Sequence, residues 1–296
     1  MPKRLIAWTG ERMVPWADEP SIIHEHLHRY LFSAALVEGK AVLDLGSGEG
    51  YGSHLLSRTA SRVVGIELDT LAVSHARLNY PAPNLEFVEG SVLKLDDFED
   101  GSFDVAVCFE VIEHITDHEQ LVAGVARVLR PGGVFVVSTP DREVYNATLG
   151  HVNPYHLKEL DRQEFSSLLL GHFGHVAMYG QRATVGSLLS SLDGTGSQTP
   201  HSHLVVQRTG EGAWEQVSEP QPKYLVAAAS QHPLPPMPSS SLLTDSGLES
   251  PPEAPMHVRH PIVGVAVLGA RSVLHLVRKR LALAMRERNR RKERKG

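Results

Sequence analysis

Residues 41–56 read AVLDLGSGEGYGSHLL. Ala41–Leu45 is a short apolar run of the kind that forms a buried parallel strand. Gly46, Ser47, Gly48, Glu49 and Gly50 follow as a tight Gly-rich turn, and Tyr51–Ser57 reads as a helix. Glycines cluster where a turn needs unusual backbone angles or a ligand must touch the backbone. Strand, Gly-rich turn and helix together make the general nucleotide-cofactor device. The spacing here is Gly-x-Gly-x-Gly, not the Gly-x-Gly-x-x-Gly of dinucleotide sites, and Asp44 lies two residues before the first glycine. A carboxylate beside the turn repels a pyrophosphate. It suits a ligand with a cationic ammonium and no phosphate.

S-adenosylmethionine is such a ligand. A second acid agrees with it: Arg62–Leu68 reads as the next strand and carries Glu67 near its end. An acid there, roughly 20 residues past the turn, is placed to hold ribose hydroxyls. Further strands are expected at Leu85–Glu89, Phe103–Phe109, Val134–Ser138, His175–Gly180 and Lys223–Ser230. Helices are expected at Ser21–Val37, Leu71–Tyr80, His118–Leu129 and Asp161–Phe173, and a turn at Pro131-Gly132-Gly133. Alternating strands and helices imply an α/β fold: a doubly wound, Rossmann-like, seven-stranded, mostly parallel sheet with helices on both faces. Residues 141–155 read as a loop, and 184–222 as a polar, Gly/Ser-rich insertion of uncertain order. Seven prolines and many serines in 231–260 suggest a disordered linker. The organisation expected is a cap with a helix at 1–38, the main domain at 39–230, the linker at 231–260 and a basic C-terminal helix within 261–296.

Composition sets further bounds. The chain has 296 residues, of which 42% are apolar, and a net charge of −5. From Arg271 onward there are 11 Lys and Arg against 2 Glu, so the residues before it carry −14. The acidic body should not attract nucleic acid. Cys108 is the single cysteine, so no disulfide framework forms within the chain, and a reducing cytoplasm is the expected compartment. The first residues show no signal-peptide pattern.

The segments VLDLGSGEGYG, VVGIELD, NLEFVEGSV, SFDVAVCFEVIEHI and RVLRPGGVFVVSTP resemble, in order and spacing, the class I S-adenosylmethionine-dependent methyltransferases. TGERMVP, EHLHRY, NPYHLKEL and YGQR resemble more narrowly a bacterial subgroup associated with polysaccharide, O-antigen or glycoconjugate biosynthesis. The resemblance implies that Asp44, Gly46, Ser47, Gly48 and Gly50 pass beside the methionine and ribose parts of the cofactor. It implies that Glu67 takes the ribose diol, that Leu68 and Leu93 flank adenine, and that Ser91 and Val92 lie at its edge. Ser91 departs from the Asp common at that place. Glu110 would face the cofactor cleft, and Arg12 would meet the methionine carboxylate.

Methyl transfer is a direct displacement at the sulfonium methyl, driven largely by alignment of the reactants. A hydroxyl acceptor gains from a general base, most often histidine. His114 is the first candidate and His156 the second, with His151 weaker; the alternative is that Glu113 and His114 only orient the following loop. His24, His26 and His28 do not make a metal motif, because only His24 and His28 share a helix face, so no metal is expected. The apolar stripe and basic residues of the tail suit an interfacial helix on anionic lipid, with a partner-docking or solvated tail as the alternative and nucleic acid binding as a third option. The expected function is O-methylation of a sugar, glycolipid or polysaccharide intermediate, in the cytoplasm or peripherally at the inner membrane face. Alternatives are methylation of a quinone, polyketide or other small molecule, a non-catalytic S-adenosylmethionine-binding module, or, least well matched, an NAD-dependent oxidoreductase.

Overall fold

A computed structural model describes residues 12–15, 20–149, 153–184, 205–210, 213–217 and 221–243. Seven strands form one sheet: β1 (Ala41–Leu45), β2 (Arg62–Glu67), β3 (Leu85–Glu89), β4 (Phe103–Phe109), β5 (Leu129–Pro140), β6 (His175–Gln181) and β9 (Tyr224–Ser230). Their order is β3-β2-β1-β4-β5-β9-β6. The first five run parallel, whereas β9 lies antiparallel between β5 and β6. Strands β7 (Val205–Gly210) and β8 (Ala213–Val217) pair in a separate antiparallel hairpin, so the 184–222 insertion, whose order the sequence left open, contains regular structure.

The apolar runs account for the layers. Side chains along a strand alternate between faces. Leu43, Leu45, Ala106, Cys108, Phe135 and Val137 belong to one buried cluster, with Leu121, Val122 and Val125 of α4 (His118–Val128) and Phe165 and Leu169 of α6 (Arg162–Leu170). The intervening Val42, Val105, Val107, Val134 and Val136 belong to the other, with Leu27 and Tyr30 of α1 (Pro20–Ala34) and Leu55 and Leu56 of α2 (Tyr51–Leu56). A sheet covered on both faces explains why its central strands read as continuous apolar runs. Burying one such Val or Leu contributes about 1.5–3 kcal/mol, which sets the register firmly.

Four expectations need correction. The Pro131-Gly132-Gly133 turn is absorbed as a bulge inside β5: Phe103 pairs with Leu129, and Val105 already pairs with Val134. Gly132 takes φ +81 there, which favours glycine. Part of the expected 141–155 loop is a helix, α5 (Arg142–Leu149). The first half of the expected disordered linker is docked: Leu234, Met237 and Leu243 pack on the α1 face of the core, and His28 Nε2 lies 2.9 Å from the Ser241 hydroxyl. Finally, α1 ends at Ala34, three residues before the expected end. Residues 1–11, 150–152 (with His151), 244–260 and the basic segment 261–296 lie outside the described residues.

Candidate active site

Open α/β sheets bind ligands beyond the carboxyl ends of their strands. Here that end carries the Gly-rich turn after β1, Glu67 at the end of β2, residues 90–93 after β3 and Glu110 after β4.

The turn is held from beneath. Gly46, Gly48 and Gly50 have φ of +75, +57 and +99. The N–H groups of Gly46 and Ser47 both donate to Ile66 O, at 2.9 and 2.8 Å. Asp44 is fully buried and accepts hydrogen bonds from Ser53 Oγ at 2.6 Å and from the Tyr30 hydroxyl at 3.2 Å. Burial pushes its carboxyl up to about 7, against the opposing effect of the Ser53 and Tyr30 hydrogen bonds. Asp44 therefore supports the turn from inside the core rather than presenting an exposed charge to a ligand. A second buried acid went unread in the sequence: Glu49 accepts from the Tyr80 hydroxyl at 2.7 Å and lies 2.9 Å from His75 Nε2, tying the turn to α3 (Thr70–Asn79). The only hint in the sequence was an acid between two glycines.

Glu67 closes the far side. Its Oε2 accepts from Gly48 N–H at 2.9 Å and its Oε1 from Asp69 N–H at 3.0 Å. Gly90 N–H donates to Glu67 O at 3.0 Å, which sets residues 90–93 beside this acid. Ser91 and Leu93 are half-buried, and Leu68 is 72% exposed. Val92 turns its side chain into the core, leaving only its backbone for a ligand. Arg12, expected at the methionine carboxylate, pairs with Asp69 at 2.9 Å and approaches Glu67 at 3.7 Å.

Glu110 follows β4 with φ +53, the one non-glycine left-handed residue among those described. Its carboxylate accepts from Ser138 Oγ at 2.7 Å and lies 3.3 Å from Arg29 Nη1. Arg29 is almost fully buried, donates to Gln181 Oε1 at 2.7 Å and sits 4.6 Å over the Tyr224 ring. The sequence reading missed this cation because its partners come from β4, β6 and β9.

The two predicted histidines do meet. A 3₁₀ turn, Ile112–His114, follows Glu110 and abuts the Gly-rich turn, since Val111 packs against the Gly46 backbone. His114 and His156 lie edge to face with ring centres 5.1 Å apart, and Tyr145 stacks on His156 at 5.4 Å. His114 Nδ1 donates to Tyr155 O at 3.0 Å. His156 Nδ1 is 2.5 Å from Glu159 Oε1, and Asn153 Nδ2 donates to Nε2 at 3.0 Å. Glu113 is buried beside them; its main-chain oxygen accepts from Leu157 and Lys158. Burial, then the nearby Glu110 charge, raises the Glu113 carboxyl well above the usual carboxylate range. His24, His26 and His28 diverge, with His26 Nδ1 on Ile22 O and His28 on Ser241.

This strand order is that of the α/β methyltransferase fold, and residues 43–137 match the family described as "Methyltransferase domain". The chain is 41% identical over 163 residues to a Mycolicibacterium smegmatis protein named "Probable S-adenosylmethionine-dependent methyltransferase", covering 54% of this chain and 62% of that one. It is 37% identical over 179 residues to a Mycobacterium tuberculosis protein with the same description, covering 60% of this chain and 64% of that one. A ubiquinone biosynthesis O-methyltransferase of Albidiferax ferrireducens is 35% identical over 127 residues, or 42% of this chain and 50% of that one. The chain thus spans less than two thirds of the length of these curated relatives. Among solved structures, the YcgJ protein of Bacillus subtilis superposes over 71% of this chain and 100% of its own with a TM-score of 0.50 at 19% identity, a likeness of fold.

Proposed function

We propose that this chain is an S-adenosylmethionine-dependent methyltransferase acting on a hydroxyl oxygen. The observation that carries this reading is the pairing of two devices at one sheet end. A Gly-rich turn is anchored by Asp44, Glu49 and Glu67. His114 stands on the turn beside it and meets His156 of the 153–159 segment edge to face. The residues fit the cofactor: the glycines leave room for a close backbone approach, and Glu67 retains lone pairs for a ribose diol beyond its two backbone contacts. Bound there, the cofactor supplies an electrophilic methyl group. The chain's own part is to orient the acceptor and to receive its proton. His114 Nε2 can do this because Nδ1 is committed as donor to Tyr155 O, leaving the lone pair on Nε2. Glu159 fixes His156 in the same tautomer.

Oxygen is preferred as acceptor because histidine base catalysis is useful there and because some relatives are named O-methyltransferases. Within that class we favour a sugar or glycolipid acceptor, on the likeness of TGERMVP, EHLHRY and NPYHLKEL to the glycoconjugate subgroup. A quinone is the second reading, favoured by the ubiquinone-pathway relatives. No helix among the described residues is long and apolar enough to cross a membrane; peripheral contact is proposed through the 11 basic residues from Arg271 onward. The test is transfer of labelled methyl from S-adenosylmethionine to panels of sugar-lipid and phenolic acceptors. Transfer to phenols alone would discard the sugar reading. No transfer to any hydroxyl, with cofactor binding intact, would discard O-methylation.

A further inference from the structure

Outside the cofactor cradle, one cluster has more polar atoms aimed inward than its internal bonds use. Glu113, His114 and His156 each offer a ligand atom, and these atoms lie within 4.8 Å of one another. We propose that the three form a site for a divalent transition-metal ion of the Zn²⁺ class at the acceptor end of the cleft. The inference rests on the reading above only for what the ion would do there: with Nε2 on the ion, His114 no longer takes the acceptor's proton itself, and the ion would instead acidify the hydroxyl it binds.

Three features beyond proximity support it. Glu113 is 1% exposed, and its Oε2 has no hydrogen-bond partner among the described residues. A buried carboxylate oxygen without a partner is costly, and a cation would satisfy it. Second, both histidines are held by the nitrogen that a metal would not use. His114 Nδ1 donates to the Tyr155 carbonyl and His156 Nδ1 faces Glu159, so both Nε2 atoms carry lone pairs. Metal-binding histidines almost always donate their other ring nitrogen to a carbonyl or carboxylate in this way. Asn146 Nδ2 in turn donates to Glu159 Oε2 at 2.7 Å, fixing that outer carboxylate. Third, the ligand set is two imidazoles and one carboxylate, a set suited to Zn²⁺ and neighbouring ions and poorly suited to Mg²⁺.

The arrangement is open rather than collapsed on an ion. The Asn153 amide occupies His156 Nε2, and its own oxygen accepts from Tyr155 N–H at 3.0 Å. Binding would displace that amide and draw the ligands inward by on the order of 1 Å to reach tetrahedral spacing. His114 is half-exposed and free to make that shift. An ion held by three protein ligands keeps a position open, and an acceptor oxygen fits that position.

The test uses the full-length chain, stripped of metal with a chelator and titrated with Zn²⁺ by calorimetry and with Co²⁺ by visible absorption. S-adenosylmethionine is titrated into the same preparation. Expected are one ion per chain, weak response to Mg²⁺, and binding weakened about tenfold or more in His114→Ala and in Glu113→Gln, with His24→Ala unchanged. Because Glu113 is buried, Glu113→Gln is at risk of misfolding; His114→Ala keeps the proposal testable alone. Absence of Zn²⁺ and Co²⁺ binding, or binding unaltered in His114→Ala, overturns the site. If cofactor binding persists in that case, the methyltransferase reading stands. If ions bind but S-adenosylmethionine does not, that reading falls and the site survives.

Discussion

Replacing Glu67 removes a carboxylate that hydrogen-bonds both the Gly-rich turn and the loop after β2. Its two oxygens hold Gly48 N–H at 2.9 Å and Asp69 N–H at 3.0 Å. In Glu67→Ala both donors lose their partner, and on the placement proposed above the ribose diol loses its acceptor. Hydrogen bonds to a charged group are worth about 1.5–3 kcal/mol each. Water can re-enter at this half-buried edge, so we expect a net loss nearer one such bond than two. That corresponds to roughly ten- to a hundred-fold weaker S-adenosylmethionine binding. Arg12 stays anchored, because its shorter contact is with Asp69 at 2.9 Å. Glu67→Gln keeps one acceptor oxygen and should lose about tenfold or less. Calorimetric titration of both variants, with thermal melts to confirm folding, is the assay. A Glu67→Ala protein that melts like the parent and binds the cofactor unchanged would refute the placement of the ribose here.

Other outcomes can be stated more briefly. Asp44, raised to about 7 from an ordinary 3.8, makes the folded state hold a proton that the unfolded chain releases. Its contribution is therefore fully present below about pH 4 and lost as pH climbs to 7, by up to about 4 kcal/mol. Asp44→Asn should flatten this part of the stability-against-pH curve measured by denaturant melts, and an unchanged slope would contradict it. Gly50→Ala forces a φ of +99 on alanine and sets its Cβ 2.7 Å from Ala76 Cβ and 2.8 Å from Phe87 Cζ, so it should cost about 2–4 kcal/mol. A melting temperature equal to the parent's would show that the contact yields. His114→Ala should lower turnover by roughly 10²–10⁴ while cofactor affinity holds; equal turnover would remove it from the chemistry.

The Gly-rich turn and its acids were readable in the sequence, whereas much of the surroundings of residues 110–114 and 153–159 was hidden. Local chemistry explains the contrast. The turn, its preceding strand and Glu67 lie within 27 residues and follow backbone requirements that sequence spacing expresses directly. The central strands were equally plain, because burial on both faces leaves uninterrupted apolar runs. Arg29 was invisible because its partners, Glu110, Gln181 and Tyr224, are far away in sequence. Glu113 was read only as the neighbour of His114; its burial arises from residues 153–159 folding back, through Leu157 and Lys158 on its carbonyl. Arg12 was expected at a ligand carboxylate, and its pairing with Asp69 and Glu67 was not read because charge alone does not say which of several acids it meets. Helix α5 was read as a loop because Asn146, with Asn153 and Pro154 just beyond the helix, outweighed its short apolar pattern.

The register between the two edge-side strands has an engineering consequence. Gln181 pairs with Tyr224, and Lys223 N–H donates to Gln181 O at 3.0 Å, so the chain leaves the sheet and returns to it at the same rung. The ends of the whole 182–223 excursion are thus clamped by the sheet whatever lies between them. Closing a loop whose ends are already adjacent costs only logarithmically more as it lengthens, about 0.6 kcal/mol per doubling. The excursion also leaves from the strand end that carries the site, beside Arg29 and Tyr224. It is therefore a graft point: segments of different length can be exchanged there beside the candidate site, while the sheet and the Gly-rich turn fold as before.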